Sequence, residues 1–164
     1  MIVNPSELNP EEAPDFAILI VGADRCVVDR LQTTMQAAGH AEMRPPYGFV
    51  IRALAGGGLR LTELAERLGV TKQAALKVVD EMEGHGLVER TPAAGDRRAK
   101  VLRLTARGES VRRRALEASQ RMEADLREDL GDEAVDAARR VLLRFIERHG
   151  GLEDALARRA RPVW

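Results

Sequence analysis

The chain has 164 residues, with 26 Lys and Arg against 26 Asp and Glu, so its formal net charge is zero. That length suits one domain with extensions and a true core, and zero net charge supplies no bulk basicity for holding nucleic acid. Apolar residues make up 45% and aromatic ones 3%, so Leu, Val and Ala carry the burial, and a base-stacking platform for single strands is excluded.

A single cysteine excludes an intrachain disulfide framework and fits a reducing compartment. Glu7, Glu11 and Glu12 stand where a signal peptide needs a basic start. The longest apolar run, Phe16 to Val21, falls far short of the ~20 residues of a membrane helix. The expected location is the cytoplasm, with no membrane partner.

Residues 1–14 read as a flexible tail, acidic and interrupted by prolines. Asp15 is then placed to cap a helix running to about Ala38, along which Phe16, Ile20, Ala23, Val27, Leu31 and Met35 keep helical spacing. Leu19 and Cys26 widen that stripe beyond what one partner covers. Gly22 leaves FAILIVG open to reading as a buried strand. Gly39 and Pro45-Pro46 lead out, which makes 15–46 a helix and its linker. A second helix is predicted from about Tyr47 to Ala55, ended by Gly56-Gly57-Gly58, with Leu59 to Leu61 as a short strand joining a later sheet.

The stretch from Leu61 to Arg90, LTELAERLGVTKQAALKVVDEMEGHGLVER, organises the rest. Thr62 is a candidate cap for a short helix whose Leu64, Ala65 and Leu68 face inward, and Gly69 can end it with positive φ. Thr71 is a second cap candidate, and Ala75, Val78, Val79 and Met82 continue a buried face before Gly84 and Gly86. A small Ala65 and a brief turn make the two helices cross steeply, the helix-turn-helix arrangement. The outer face of the second helix carries Lys72, Gln73, Ala74, Leu76 and Lys77. Gln can bond an adenine edge twice, Lys reaches guanine or phosphate, and Ala or Leu meets a thymine methyl. An ordinary solvated helix end is the plainer reading of the same residues.

Leu87 to Thr91 and Lys100 to Leu104 alternate like two strands of a hairpin. Between them Pro92 to Arg98 forms a turn-rich tip with paired arginines, suited to a phosphate backbone or a narrow minor groove. Thr105 then caps a long helix toward Leu130, with Val111, Ala115, Ser119, Met122, Leu126 and Leu130 along one side. Gly131-Asp132 restarts a helix bearing Ala134, Ala138, Val141, Leu142 and Phe145. Residues 151–164 form a C-terminal extension ending in Trp164.

LTELAERLGV, the helix from Thr71, GLVER, GDRRAKVLRL and Leu104-Thr105-Ala106-Arg107-Gly108 together resemble the MarR (multiple antibiotic resistance regulator) family of bacterial winged-helix transcription factors. The Asp-x-Arg wing signature and the following Leu-Thr-x-x-Gly both occur. The resemblance is close over about residues 47–110, and departs where Ala74 and Leu76 stand at positions often polar in the family. It implies a mainly α fold with a small β-hairpin wing: a winged helix-turn-helix over 47–104, flanked by dimerisation helices over 15–46 and 105–150. Two-fold dimers of this kind read pseudo-palindromic double-stranded DNA.

The resemblance makes Thr71, Lys72, Gln73, Ala74 and Lys77 candidates for the reading helix. It implies that Arg98 is the wing arginine for the minor groove and that Asp96 holds it, with Arg97 and Lys100 expected at phosphates. It also implies a pocket for a small aromatic effector, for which Met43, Tyr47 and Arg52 are candidates, and hence a repressor that an effector releases. Some relatives sense oxidants through a cysteine on the first helix, assisted by tyrosines. Cys26 is that candidate here, and a small buried core residue is its plainer reading. His40, His85, His149 and Cys26 lack metal-ligand spacing, and no HExxH, CxxC, GxSxG or phosphate-cradling loop suggests an enzyme. No cofactor or metal is expected. A winged helix that binds protein instead of DNA is the competing class.

Overall fold

A computed structural model describes residue 9, residues 13–93 and residues 96–153, without the side chains at 93 and 96–99. The expectations for the tail and the C-terminal extension lie almost wholly outside the described residues. The elements run α1 (Phe16–Ala37), α2 (Pro45–Leu54), α3 (Leu61–Leu68), α4 (Lys72–Gly84), β1 (Val88–Ala93), β2 (Asp96–Leu104), α5 (Ala106–Leu130) and α6 (Asp132–Arg148). The two strands pair antiparallel. The fold is mainly α with a β-hairpin wing, as the residue pattern predicts.

Local chemistry explains most boundaries. Asp15 accepts from the Ile18 N–H at 2.9 Å and starts α1, so FAILIVG is helix rather than strand. Thr71 accepts from Ala74 N–H at 3.2 Å and Thr105 from Gly108 N–H at 3.0 Å. Gly69, at φ 68°, ends α3 in the left-handed region that side chains avoid.

Three boundaries differ from expectation. Thr62 does not cap α3; the helix begins at Leu61, because the Glu63 carboxylate reaches back to the Arg60 N–H at 2.6 Å and closes the end without a hydroxyl. Pro45 and Pro46 lie inside α2 rather than before it, where a missing N–H costs nothing and the fixed φ is already helical. Only Leu59 joins the sheet, exchanging two backbone bonds with Leu102 at 3.1 and 2.8 Å, since Leu61 already belongs to α3. Gly58 permits that approach: a Cβ there would lie 2.3 Å from Val101 Cγ1.

The core sits where α2, α3, α4, the hairpin and the first turns of α5 meet. Tyr47, Val50, Leu64, Val79, Met82, Leu87, Val88 and Val111 are its most deeply buried side chains. Truncating one such leucine typically costs about 2–5 kcal/mol, so this block carries the stability of the chain. The terminal helices differ. α1 buries only Met35, α5 buries Gly108 and Val111, and α6 buries nothing. Phe16 of α1 meets Phe145 of α6 edge to face at 5.9 Å. Among the described residues, no helix is long and apolar enough to cross a membrane.

Candidate nucleic-acid interface

The turn between α3 and α4 is closed by Gly69 N–H to the Glu66 carbonyl at 3.1 Å and Val70 N–H to the Ala65 carbonyl at 3.0 Å. Ala75, Val79 and Met82 seat α4 in the core, which turns Lys72, Gln73, Ala74, Leu76 and Lys77 to solvent. Among the described residues, no side-chain hydrogen bond or ion pair engages Lys72, Gln73 or Lys77, so their donors are uncommitted.

The acids of α4 are all committed. Asp80 and Glu83 accept from Arg90 of β1. Glu81 pairs with Arg44 at the start of α2 and accepts from the Tyr47 hydroxyl at 3.3 Å. Arg44 also stands 5.0 Å over the Tyr47 ring. Three carboxylates of the helix are therefore matched by arginines from other elements, and its exposed N-terminal turns keep the field of two lysines and of the helix dipole. Sequence reasoning missed Arg44 and Arg90. Acids three apart on one helix face, followed by an arginine in a strand, are a readable sign of the Arg90 pairing; nothing local marks Arg44.

The wing is shorter in its loop and longer in its strands than predicted. β1 continues through Pro92 and Ala93, and β2 resumes at Asp96. The register shifts between Pro92 and Ala93, leaving Arg97, Arg98 and Ala99 between the paired residues Asp96 and Lys100. Extra residues of this kind bend and twist a strand tip. The candidate arginines thus lie on a bulged strand, not in an irregular loop; their side chains, and that of Asp96, lie outside the described residues. Lys100 is exposed.

The linker between α1 and α2 is pinned on both sides. Glu42 accepts from Arg107 of α5 at 2.5 Å, and Arg44 holds Glu81. Burial pushes the Glu42 carboxyl up, but its own backbone N–H and the Arg107 guanidinium outweigh that and hold it below the usual range.

The effector candidates are not brought together. Met43 and Tyr47 are core residues, whereas Arg52 is exposed near the end of α2. An open groove of about 360 Å³ lies elsewhere, between α1 and α5, with Met35 and Ala38 facing Arg114, Ala118 and Arg121. Cys26 is exposed, which overturns its reading as a buried core residue: the stripe it widens faces outward in the single chain. The only tyrosine, Tyr47, is engaged by Arg44 and Glu81. Among the described residues, no group of three His, Cys, Asp or Glu side chains suits a metal ion.

Residues 43–99 match the family model described as MarR family, from the pinned linker to the wing tip. Over those residues the chain is similar to the MarR family's winged helix. The transcriptional repressor CouR, solved bound to a 23-mer DNA duplex, is 28% identical, with 85% of this chain and 98% of that one covered and a TM-score of 0.64. RV1404 from Mycobacterium tuberculosis is 26% identical over 84% of this chain and 97% of its own, with a TM-score of 0.67. A MarR family protein from Bacillus stearothermophilus, at 22% identity and a TM-score of 0.70, covers 87% of this chain and 99% of its own. Among curated proteins, no sequence matches the chain. The MarR family is one of transcription regulators, not enzymes.

Proposed function

We propose that the chain is a sequence-specific, double-stranded-DNA-binding transcription regulator that works as a homodimer and represses until an effector releases it. One observation carries the reading: the first two turns of α4 present Lys72, Gln73 and Lys77 exposed and uncommitted, while every acid of the helix is held by an arginine from another element. Residues 47–104 are then the DNA-binding domain, with Thr71 and Ala74 beside those side chains. Asp96, Arg97, Arg98 and Lys100 serve the wing. The duplex seen with CouR supports the same use.

The homodimer rests on the terminal helices, the parts assigned to 15–46 and 105–150. Ile18, Leu19 and Val21 of α1 are 60%, 54% and 67% exposed, and Val141, Leu142 and Phe145 of α6 are 51%, 42% and 43% exposed. Apolar surface of that extent on neighbouring helices calls for a partner, and a two-fold copy offers the same surface in return. The dimer carries two reading helices, so its target is a pseudo-palindrome with half-sites about one helical turn (~10 bp) apart. Release requires an effector that prefers a dimer with wrongly spaced reading helices. The groove between α1 and α5, where Arg114, Glu117 and Arg121 stand beside Met35 and Ala38, is the place we assign to a small aromatic effector.

Incubating the purified protein with a pool of random duplexes and sequencing what it retains tests the reading. The expected result is an enriched pseudo-palindrome held in a salt-sensitive way. Retention that neither responds to salt nor enriches any sequence would leave only a protein-binding module.

A further inference from the structure

We infer that Arg90 is a positioning residue that sets the angle of the wing against the reading helix, an inference that rests on the DNA-binding reading. Its guanidinium donates to Asp80 Oδ1 at 2.5 Å and to Glu83 Oε2. One side chain of β1 thereby spans two carboxylates that lie a turn apart on α4. Arg90 is 29% exposed while Asp80 and Glu83 are 55% and 39% exposed, so the bridge draws its strength from meeting two carboxylates at once rather than from burial.

The position of Arg90 in the hairpin gives this bridge leverage. Arg90 pairs in register with Leu102, and Val88 with Leu104; Val88 and Leu102 are buried, so Arg90 lies on the inner side of the wing. At its base the hairpin is fixed to α4 by the turn His85 to Leu87, with Gly86 at φ 67°. One fixed point leaves a two-stranded ribbon free to swing, and such a ribbon has little rigidity of its own. Leu59 pairs with Leu102 on the β2 side, and Arg90 attaches the β1 side directly to the reading helix. Beyond Arg90 run Thr91, Pro92 and the bulged tip that bears the candidate minor-groove arginines.

The same bridge rules out a second role. A guanidinium held by two acids on the inner side of the hairpin is not presented to a phosphate. Arg90 acts on DNA through the wing it orients. Lysine does not replace it, because a single ammonium lacks the planar fork that meets both carboxylates.

The acids allow a test in which sign decides. Removing negative charge near DNA strengthens binding by electrostatics alone. If Asp80 and Glu83 hold Arg90 in place, removing them must weaken binding instead. We would compare wild type, Asp80→Asn/Glu83→Gln, Arg90→Lys and Arg90→Ala on the duplexes that wild type retains from a random pool. Affinity, hydroxyl-radical and dimethyl sulfate footprints and thermal unfolding would be read for each. The expected result is a loss of roughly tenfold for all three variants. Flanking minor-groove protection from hydroxyl radical should vanish while protection of central guanine N7 atoms from dimethyl sulfate in the major groove persists, a pattern that a merely unfolded variant cannot produce. Equal or tighter binding by the double variant, or an unchanged wing footprint, overturns the inference and leaves the DNA-binding reading intact. Failure of wild type to retain any duplex removes both.

Discussion

The hydroxyl of Thr105 donates to the carbonyl oxygen of Gly86 at 2.6 Å, joining the residue that starts α5 to the turn that ends α4. The Thr105 hydroxyl oxygen in turn accepts from the Gly108 N–H at 3.0 Å, and the Thr105 N–H donates to the Leu87 carbonyl at 3.1 Å. Leu-Thr-x-x-Gly therefore has a mechanical meaning. Threonine caps α5 and ties it to the helix-turn-helix, and glycine lets the first turn rest against the Leu87 backbone.

Substitutions at both ends of that motif should cost stability in different ways. Thr105→Val keeps the bulk but removes a helix cap and a hydrogen bond, and is expected to lower stability by about 1–2 kcal/mol. At Gly108 a Cβ would lie 2.1 Å from the Leu87 carbonyl oxygen. Gly108→Ala is expected to cost about 1–3 kcal/mol through overpacking against backbone that has no rotamer to change. Urea unfolding of both variants checks this; a neutral Gly108→Ala would mean the helix start can shift freely.

Arg98→Ala should weaken DNA binding at every salt concentration. It should also lower the slope of log affinity against log salt by about one unit, as expected for one lost phosphate or minor-groove cation. Titrations at several salt concentrations measure it. An unchanged slope would take Arg98 out of the interface.

Val141→Glu probes the dimer. The side chain is 51% exposed in the single chain, and a substitution at such a surface site ordinarily changes intrinsic stability by about 0.5 kcal/mol or less. In the proposed dimer the same change puts a charge into an apolar contact. Sedimentation should therefore show half the mass of wild type, with the helical signal retained. A variant that stays dimeric would move the interface away from α6.

Arg127 makes the joint between α5 and α6 sensitive to acid. Its guanidinium donates to Glu123 at 3.0 Å, Asp132 at 2.8 Å and Asp136 at 2.8 Å. The hydrogen bond from Arg127 holds the Asp136 carboxyl below the usual aspartate range. A carboxyl that titrates lower folded than unfolded stabilises fully above its unfolded value of about 3.9 and loses that contribution as pH falls through the depressed value. Thermal stability of wild type should consequently fall more steeply below about pH 4 than that of Arg127→Met. NMR titration should find the Asp136 carboxyl of that variant back in the ordinary range.

Helix starts were legible where one side chain decides them, at Asp15, Thr71 and Thr105, and so was the stop at Gly69. Each is a bond or a dihedral within a few residues. The reading failed at Thr62, where a Glu three residues past the actual cap competed and won. It also failed at Cys26, because helical spacing reveals a stripe but not whether anything covers it. The lysines and glutamine of α4 could be named from their chemistry. That their acidic neighbours are held elsewhere could not, since Glu81 meets an arginine 37 positions away in the chain.

Local order and the kind of fold belong to the sequence alone: caps, glycine stops, apolar spacing and the Asp-x-Arg and Leu-Thr-x-x-Gly signatures act over short separations and survive in any fold that honours them. Only the tertiary structure decided which charges remain free. Arg44 to Glu81, Arg90 to Asp80 and Glu83, and Arg107 to Glu42 are pairings between elements. They come into being when packing brings distant segments within a few ångströms, a distance over which Coulomb attraction is strong and beyond which water and salt screen it.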